Sequence, residues 1–298
     1  MAHTPLWRWS SLYSTLKICL VGGDARQIFL SSLLRADGHT VTTAALSGQP
    51  PDLSPIPEAD YVLLPMPLTD RNGALFAPLC PDPVPLSQII ERLTPTQLIF
   101  GGKIAKEISA LAARRGLMLR DYLLREDLAV SNAVPTAEGA LQLAMELLPI
   151  TIHGCQVLIA GFGRVGQCTA QRFRALGAEV TVCARSPAQL ALAESTDCAA
   201  LSLNELAARN RAFDLVINTV PAHIFDHTRL EKLGSPLLME LASPPGGFDL
   251  EAVQQLGLKL LSAPGLPGKV APLTAARIIQ KTIYRMLEEL NLGKEGSF

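Results

Sequence analysis

The chain has 298 residues, 48% of them hydrophobic, which suits two globular domains and excludes a disordered protein. It carries 26 Lys and Arg against 27 Asp and Glu, with no long run of like charge, so no electrostatic footprint for nucleic acid or an anionic membrane is visible. The apolar runs are all shorter than the roughly 18 residues of a membrane span. We therefore expect a globular protein that binds a small ligand or a protein partner and does not cross a membrane.

The chain begins with MAHTPLWRWSSLYSTLK, which lacks the uninterrupted apolar core and the cleavage site of a signal peptide. We interpret this segment as a lead-in to the first strand. The six cysteines are scattered without a C-x-x-C pair. This spacing predicts buried, reduced thiols and no metal site.

In the first half of the chain, short apolar runs alternate with amphipathic ones, a pattern typical of strands joined by crossover helices in a parallel sheet. The predicted strands are residues 16–21, 40–45, 60–64, 97–100 and 117–120. Helices are predicted at 26–36 and 103–115, and the Pro-rich connection after the second strand is expected to be irregular. We assign residues 1–134 to an N-terminal α/β domain on the substrate side.

The second half repeats this pattern after an interlobe helix, predicted over 135–150 because Pro135 and Thr136 suit a helix start. The predicted strands are residues 156–160, 179–183, 198–201, 214–218, 236–241 and 258–261. A last helix, over 271–290, has one apolar face that packs either on its own domain or back on the first. The prediction is two tandem α/β lobes with open parallel sheets, the second over 135–298 and of the Rossmann type.

The most specific motif is AGFGRVGQ, in which Gly161, Gly163 and Gly166 form G-x-G-x-x-G between an apolar strand and a helix. The first glycine permits the tight turn, the second lets a pyrophosphate approach the backbone, and the third lets the helix sit close to the strand. The free N–H groups of the helix start then face the phosphates. The motif predicts dinucleotide binding by residues 161–166, namely Gly161, Phe162, Gly163, Arg164, Val165 and Gly166.

The second strand of this unit ends in TVCARSP, about 20 residues after the glycines, where the adenosine ribose of a bound dinucleotide lies. An acid there would bind a 2′-hydroxyl and repel a 2′-phosphate. Arg185 instead offers charge-assisted hydrogen bonds to a phosphate, and Ser186 offers another. These residues favour NADP over NAD, the alternative being that Arg185 is a solvated turn residue.

The fourth strand of this lobe runs into NTVPAHIF, and Pro221 ends the strand at the carboxyl edge, where open α/β sheets bind ligands. Thr219, Val220 and Pro221 are therefore predicted to flank the nicotinamide ribose. His223 follows in the same loop. It is a weak candidate for a proton carrier, the alternative being a surface or helix-start role.

The first lobe has its own strand-to-helix turn, VGGDARQ, which lacks the third glycine of a dinucleotide motif. We interpret it as a substrate-side loop in which Arg26 can hold a carboxylate or simply be solvated. Lys269 lies in the Pro- and Gly-rich segment SAPGLPGKVAP and is the other cation expected near a cleft edge.

Several segments together give a specific resemblance: GGDAR, LREDLAVSNAVPTAEGAL, AGFGRVGQ with ARS, LMELASPPGGFD and APGLPGKVAP. From about residue 16 onward the chain resembles the family of dipicolinate synthase A subunits. The resemblance implies NADP-linked oxidation of dihydrodipicolinate to dipicolinate, the small aromatic diacid of bacterial endospores. It also implies a flavoprotein-like partner, the B subunit of dipicolinate synthase, and action in the mother-cell cytoplasm, and it leaves a homo-oligomer open.

A dihydropyridine that loses a hydride and a proton becomes aromatic. The main requirement of this reaction is therefore alignment of the dihydropyridine and nicotinamide rings. The substrate's two carboxylates call for cations or neutral donors, and the candidates are Arg26, Lys269, Ser131, Asn132 and Thr136. No catalytic base is identified, although three side chains are weak candidates: His223, Asp24 and Glu138. Two alternatives remain open, an NADP-dependent reductase of 2-keto or imino acids and a non-catalytic protein that binds NADP.

Overall fold

The computed structural model describes residues 15–46, 51–208 and 210–295, with side chains described up to residue 290. The segment interpreted as a lead-in, MAHTPLWRWSSLYSTLK, lies outside these ranges in residues 1–14. The chain divides into two compact units. Unit 1 comprises residues 1–129 and 272–298, and unit 2 comprises residues 130–271.

Unit 1 contains a five-stranded parallel sheet in the order β2-β1-β3-β4-β5. Its strands are β1 (Lys17–Val21), β2 (Thr40–Ala44), β3 (Tyr61–Leu63), β4 (Leu98–Gly101) and β5 (Met118–Asp121). Its helices are α1 (Ala25–Ala36), α2 (Leu86–Arg92), α3 (Lys106–Arg114), the first turn of α4 (Glu126–Leu147) and the C-terminal α11 (Pro272–Glu295). The three central strands β1, β3 and β4 are largely apolar and buried because both faces of the sheet are covered there.

Unit 2 contains a six-stranded parallel sheet in the order β11-β10-β9-β6-β7-β8. Its strands are β6 (Gln156–Ala160), β7 (Glu179–Ala184), β8 (Ala199–Ser202), β9 (Leu215–Asn218), β10 (Leu237–Glu240) and β11 (Lys259–Ser262). Besides most of α4, its helices are α5 (Arg164–Ala175), α6 (Pro187–Ser195), α7 (Leu203–Ala208), α8 (His227–Glu231), α9 (Leu250–Gln255) and α10 (Leu266–Val270). The predicted fold class, two parallel-sheet α/β lobes of which the second is Rossmann-like, is confirmed.

The C-terminal helix α11 packs on unit 1, which is one of the two placements that its sequence left open. Ala276, Ile279 and Ile283 share a buried apolar cluster with Leu20 of β1 and Leu30 of α1. The predicted second domain, residues 135–298, therefore differs from unit 2 in its C-terminal part. The reason is that the buried face of α11 is part of the core beside α1 and β1.

Helix α4 begins at Glu126, not at the predicted 135, and Pro135 lies inside it. Glu126 and Asp127 supply negative charge to the first turn, which favours a helix start there. Proline at 135 removes a single N–H from the helix ladder and does not end the helix. Ser131, Asn132 and Thr136 consequently lie in the middle of a helix and not at its N-terminus.

All six cysteines are free, five of them buried and Cys168 half-exposed. The helices that the structure describes include none that is long and apolar enough to span a membrane. Among the described residues there is likewise no group of three or more His, Cys, Asp or Glu side chains that could hold a metal ion.

Candidate functional site

The glycine turn between β6 and α5 shows which of its glycines the protein itself requires. Gly161 has φ +87°, and a Cβ there would lie 2.5 Å from Val220 Cγ2. A Cβ at Gly166 would overlap the carbonyl of Gly161. At Gly163, by contrast, a Cβ would meet no protein atom within 4 Å. The turn therefore needs Gly161 and Gly166 for its own packing, whereas the smooth backbone at Gly163 faces open space.

Helix α5 begins without a side-chain cap, because Gly163 occupies its N-cap position. The first N–H groups of a helix have no partner within the helix, and its N-terminus carries a partial positive charge. Two side chains brace the turn: Gln167 Nε2 donates to the carbonyl of Phe162 at 2.9 Å, and Thr219 Oγ1 donates to that of Ala160 at 2.7 Å. These hydrogen bonds hold the turn in place, and the N-terminus of α5 is left free to bind an anion.

This turn opens onto a cleft of about 640 Å³ within unit 2. All the residues predicted to bind the cofactor line this cleft except Gly166, which packs against the turn from inside. The cleft is also lined by residues that were not predicted: Cys183, Ala184, Gln189, Leu203 and Ile224. Its described lining contains no Asp, Glu or His. The cleft thus combines glycine backbone, cations and apolar side chains, the lining that a polyphosphate with flat rings requires.

The thiol of Cys183, which lines the cleft, is not available as a nucleophile. Burial raises its pKa to about 12, outweighing the effect of the Arg229 cation, so it stays protonated at neutral pH. Cys183 therefore contributes to the cleft lining as a small apolar side chain.

The far end of the cleft lies where β7 ends and α6 begins. Ser186 is the N-cap residue of α6, its side chain makes no capping hydrogen bond, and Pro187 follows as the first helical residue. Arg185 is exposed, and within the described parts of the chain its guanidinium has no hydrogen bond or ion pair. A cation, a hydroxyl and an uncapped helix start therefore face the same end of the cleft.

The loop that follows β9 forms another wall of the cleft. Thr219, Val220 and Pro221 line it, and the amide of Asn218 bonds both the N–H and the carbonyl of Val220, at 3.2 and 2.8 Å. Asn218 is fully buried and in turn donates to Glu240 Oε1 at 2.7 Å. Neither Asn218 nor Glu240 was recognised from the sequence as part of the site. Each ends a strand, and parallel register places the two side by side.

The three weak candidates for a catalytic base are not gathered at this cleft. His223 is exposed in the loop after β9 and is absent from the cleft lining. Glu138 is exposed on α4 and pairs with Arg172 at 3.3 Å. Asp24 belongs to unit 1, where it pairs with Arg26 at 2.8 Å and caps α1. Both acids are thus engaged in ion pairs of their own unit.

The predicted substrate residues are also dispersed. Arg26 is buried, donates through Nε and Nη2 to the Asp24 carboxylate, and bonds the carbonyl of Met66. These contacts compete with the predicted role of Arg26 as a carboxylate ligand. Thr136 Oγ1 donates to the carbonyl of Asn132 within α4. Lys269 is exposed on α10.

Comparison with known families first defines the class. Residues 123–237 match the family of the D-isomer specific 2-hydroxyacid dehydrogenase NAD binding domain, which identifies unit 2 as a nicotinamide dinucleotide-binding domain of the dehydrogenase type. Residues 17–123 match the N-terminal domain of the dipicolinate synthase A subunit.

Comparison over nearly the whole chain then identifies the family more specifically. It is 35% identical to the dipicolinate synthase A subunit of Bacillus subtilis (strain 168) over 94% of this chain and 98% of that protein. A crystal structure of the dipicolinate synthase A chain from Bacillus subtilis superposes with a TM-score of 0.82 at 32% identity, covering 94% of this chain and 98% of that one. The structure of the dipicolinate synthase A subunit from Bacillus halodurans gives 0.83 at 29% identity, covering 92% and 99%. The chain belongs to the family of dipicolinate synthase A subunits.

Proposed function

We propose that the protein catalyses the NADP-linked oxidation of dihydrodipicolinate to dipicolinate. Its membership of the dipicolinate synthase family supports the product, and its dehydrogenase-type domain supports hydride transfer to a nicotinamide. The observation that carries the choice of NADP is the end of β7, where Arg185 and Ser186 face the cleft and no acid does.

The residues present fit a dinucleotide phosphate. The backbone from Gly161 to Val165 and the N-terminus of α5 bind the pyrophosphate, and the open space at Gly163 leaves room for it. Arg185 and Ser186 bind the 2′-phosphate through charge-assisted hydrogen bonds. The loop from Thr219 to Pro221 flanks the nicotinamide ribose. When bound, the cofactor supplies the hydride acceptor.

The chemistry requires little acid–base assistance from the chain. The dihydropyridine gives up a hydride and a proton, and the aromatic product supplies much of the driving force. What the chain must do is hold the two rings in line. The carboxylates of the substrate require cations or N–H donors, and the exposed Lys269 is the candidate cation in unit 2, with Ser131 and Asn132 as polar residues on α4. We place this activity in the mother-cell cytoplasm, with the flavoprotein-like B subunit as partner.

Cofactor preference is tested by Arg185→Asp. We expect the Kd for NADPH to rise on the order of 100-fold, about 2.7 kcal/mol, because an attraction to the 2′-phosphate becomes a repulsion. The Kd for NADH, which has no such phosphate, should change by less than about threefold. Fluorescence titration measures both. Lys259→Asp, an exposed cation at the amino end of β11, is the matched control.

Retention of the NADPH preference by Arg185→Asp would contradict the assignment of the 2′-phosphate site. Turnover of dihydrodipicolinate by the purified chain, alone and with the B subunit, then separates the proposed enzyme from a non-catalytic NADP-binding protein. Turnover of 2-keto or imino acids in place of dihydrodipicolinate would instead favour a reductase.

A further inference from the structure

A buried polar network joins the carboxyl ends of β9 and β10 next to the cleft wall. Asn218 and Glu240 are paired residues in the parallel register of these strands. Asn218 is fully buried, and Glu240 is half-buried. A carboxylate and an amide in this setting cost free energy unless their polar atoms are hydrogen-bonded, so their partners indicate what the pair is for.

Asn218 fixes the backbone of the cleft wall. Its Oδ1 accepts from the N–H of Val220 at 3.2 Å, and its Nδ2 donates to the Val220 carbonyl at 2.8 Å and to Glu240 Oε1 at 2.7 Å. Because the carboxylate accepts only, it holds the amide in the orientation that presents both groups to Val220. The position of Val220, a cleft residue, thus depends on Glu240.

Glu240 reaches the same wall by a second route. Its Oε1 also accepts from the N–H of Ala242 at 2.9 Å, and its Oε2 accepts from that of Gly247 at 2.7 Å. The carbonyl of Gly247 accepts from the N–H groups of Ile224 and Phe225, both at 2.9 Å. Ile224 lines the cleft. One carboxylate therefore supports Val220 through Asn218 and Ile224 through Gly247.

The loop SPPGGF, residues 243–248, packs closely against Asn218 and Glu240. Gly246 has φ +82°, and a Cβ there would lie 2.9 Å from Glu240 Oε2. A Cβ at Gly247 would overlap the side-chain amide of Asn218. The two glycines therefore allow the loop to close onto the carboxylate and the amide.

We propose that Glu240 and Asn218 are positioning residues for the nicotinamide half of the cofactor, an inference that rests on the proposed function. Neither residue belongs to the described lining of the cleft, so the pair acts through the backbone of Val220 and Ile224. It sets the wall along which the nicotinamide ribose lies, whereas the adenosine end is held separately by Arg185 and Ser186. Loss of the pair should impair ring alignment and leave the adenosine end bound.

Glu240→Gln tests this proposal, since glutamine has one acceptor oxygen and places an NH₂ against a backbone N–H. We expect the Kd for 2′,5′-ADP, which probes the adenosine end alone, to stay within about twofold of wild type, and that for NADPH to rise about tenfold. We expect kcat to fall roughly 10- to 100-fold, with the KM for dihydrodipicolinate changing less than about threefold. Glu179→Gln, an exposed carboxylate at the amino end of β7, is the matched control.

Gly247→Ala is the second variant, because its methyl group displaces the Asn218 amide without altering a charge. It should reproduce the selective loss, and it decides the question if Glu240→Gln does not fold. Wild-type affinity for NADPH and unchanged kcat in the folded variants would overturn the proposal, and so would equal losses of 2′,5′-ADP and NADPH affinity. Binding of NADPH by the wild-type chain tests the proposed function separately, so the two failures are distinguishable.

Discussion

Each unit has a strand-to-helix turn of three residues, Gly22–Asp24 in unit 1 and Gly161–Gly163 in unit 2, but only the first ends in a side-chain cap. In unit 1, Asp24 caps α1 by accepting from the N–H of Arg26 at 3.0 Å and also holds the Arg26 guanidinium. Leu75 and Phe76 cover the turn, and the N–H of Gly23 donates to the Phe76 carbonyl at 2.7 Å. In unit 2, Gly163 leaves α5 without a side-chain cap, and the turn faces the 640 Å³ cleft.

The difference lies in what neutralises the positive end of the helix. A fixed carboxylate of the chain does so in unit 1, and a bound anion can do so in unit 2. The N-cap residue, Asp24 in unit 1 and Gly163 in unit 2, is therefore one difference between the two turns. The cover that Leu75 and Phe76 give to the turn of unit 1 is another.

The largest effect is expected from Gly163→Asp, which places at the N-cap of α5 the residue type that caps α1. The carboxylate would cap α5 and repel the pyrophosphate, so the Kd for NADPH should rise on the order of 100-fold or more. The fold should tolerate the change because a Cβ at this position meets no protein atom. Fluorescence titration and thermal unfolding measure the two effects.

Gly163→Asn is the control for that change, since it supplies a cap without a charge. We expect a smaller loss of NADPH affinity than with Asp. Wild-type affinity in the Asp variant would mean that the N-terminus of α5 does not hold the phosphates.

The converse change, Asp24→Ala, should cost unit 1 about 2–4 kcal/mol of free energy of unfolding, because it removes a cap and leaves the buried Arg26 without its carboxylate. Urea unfolding measures this cost, and the Kd for NADPH should not change. Asp249→Ala is the matched control, since Asp249 caps α9 and has no arginine partner among the residues that the structure describes. That variant should lose only about 1 kcal/mol. Equal losses would show that the pair with Arg26 contributes nothing.

The smallest effect concerns Asp127, which accepts from Arg285 at 2.8 Å and from Arg125 at 3.2 Å. Burial raises the pKa of this carboxyl, but the two guanidinium groups lower it by more, so its net pKa lies below the usual value. A depressed folded-state pKa contributes stability above the unfolded-state pKa of about 3.9, and this stability is lost as pH falls through the folded-state value.

Asp127→Asn should therefore cost about 1 kcal/mol at pH 7, and the difference from wild type should shrink towards pH 3. Urea unfolding at both pH values measures this dependence. Asp60→Asn, at an exposed position, is the control. A difference between Asp127→Asn and wild type that stayed constant from pH 7 to pH 3 would contradict the ion-pair explanation.

The sequence predicted those features that are encoded locally. Apolar runs predicted the strands, and the spacing of Gly161, Gly163 and Gly166 predicted the turn, because each depends on neighbours within one supersecondary unit. The start of α4 was predicted wrongly because Pro135 resembles a first helical residue, whereas the acids at 126 and 127 favour an earlier start. The partnership of Asn218 with Glu240 depends on which strands are neighbours in the sheet, and nothing in the local pattern of either strand reports this.

Because α11 belongs to unit 1, the two units are completed in a fixed order during synthesis of the chain. Residues 130–271 form a continuous stretch, so the nucleotide-binding half can close as soon as it has left the ribosome. The half that starts at β1 must wait for the last helix, whose Ala276 and Ile283 fill its core. The unit translated first is thus completed last, because the apolar residues of β1 and α1 that pack on α11 have no such partner until α11 is made.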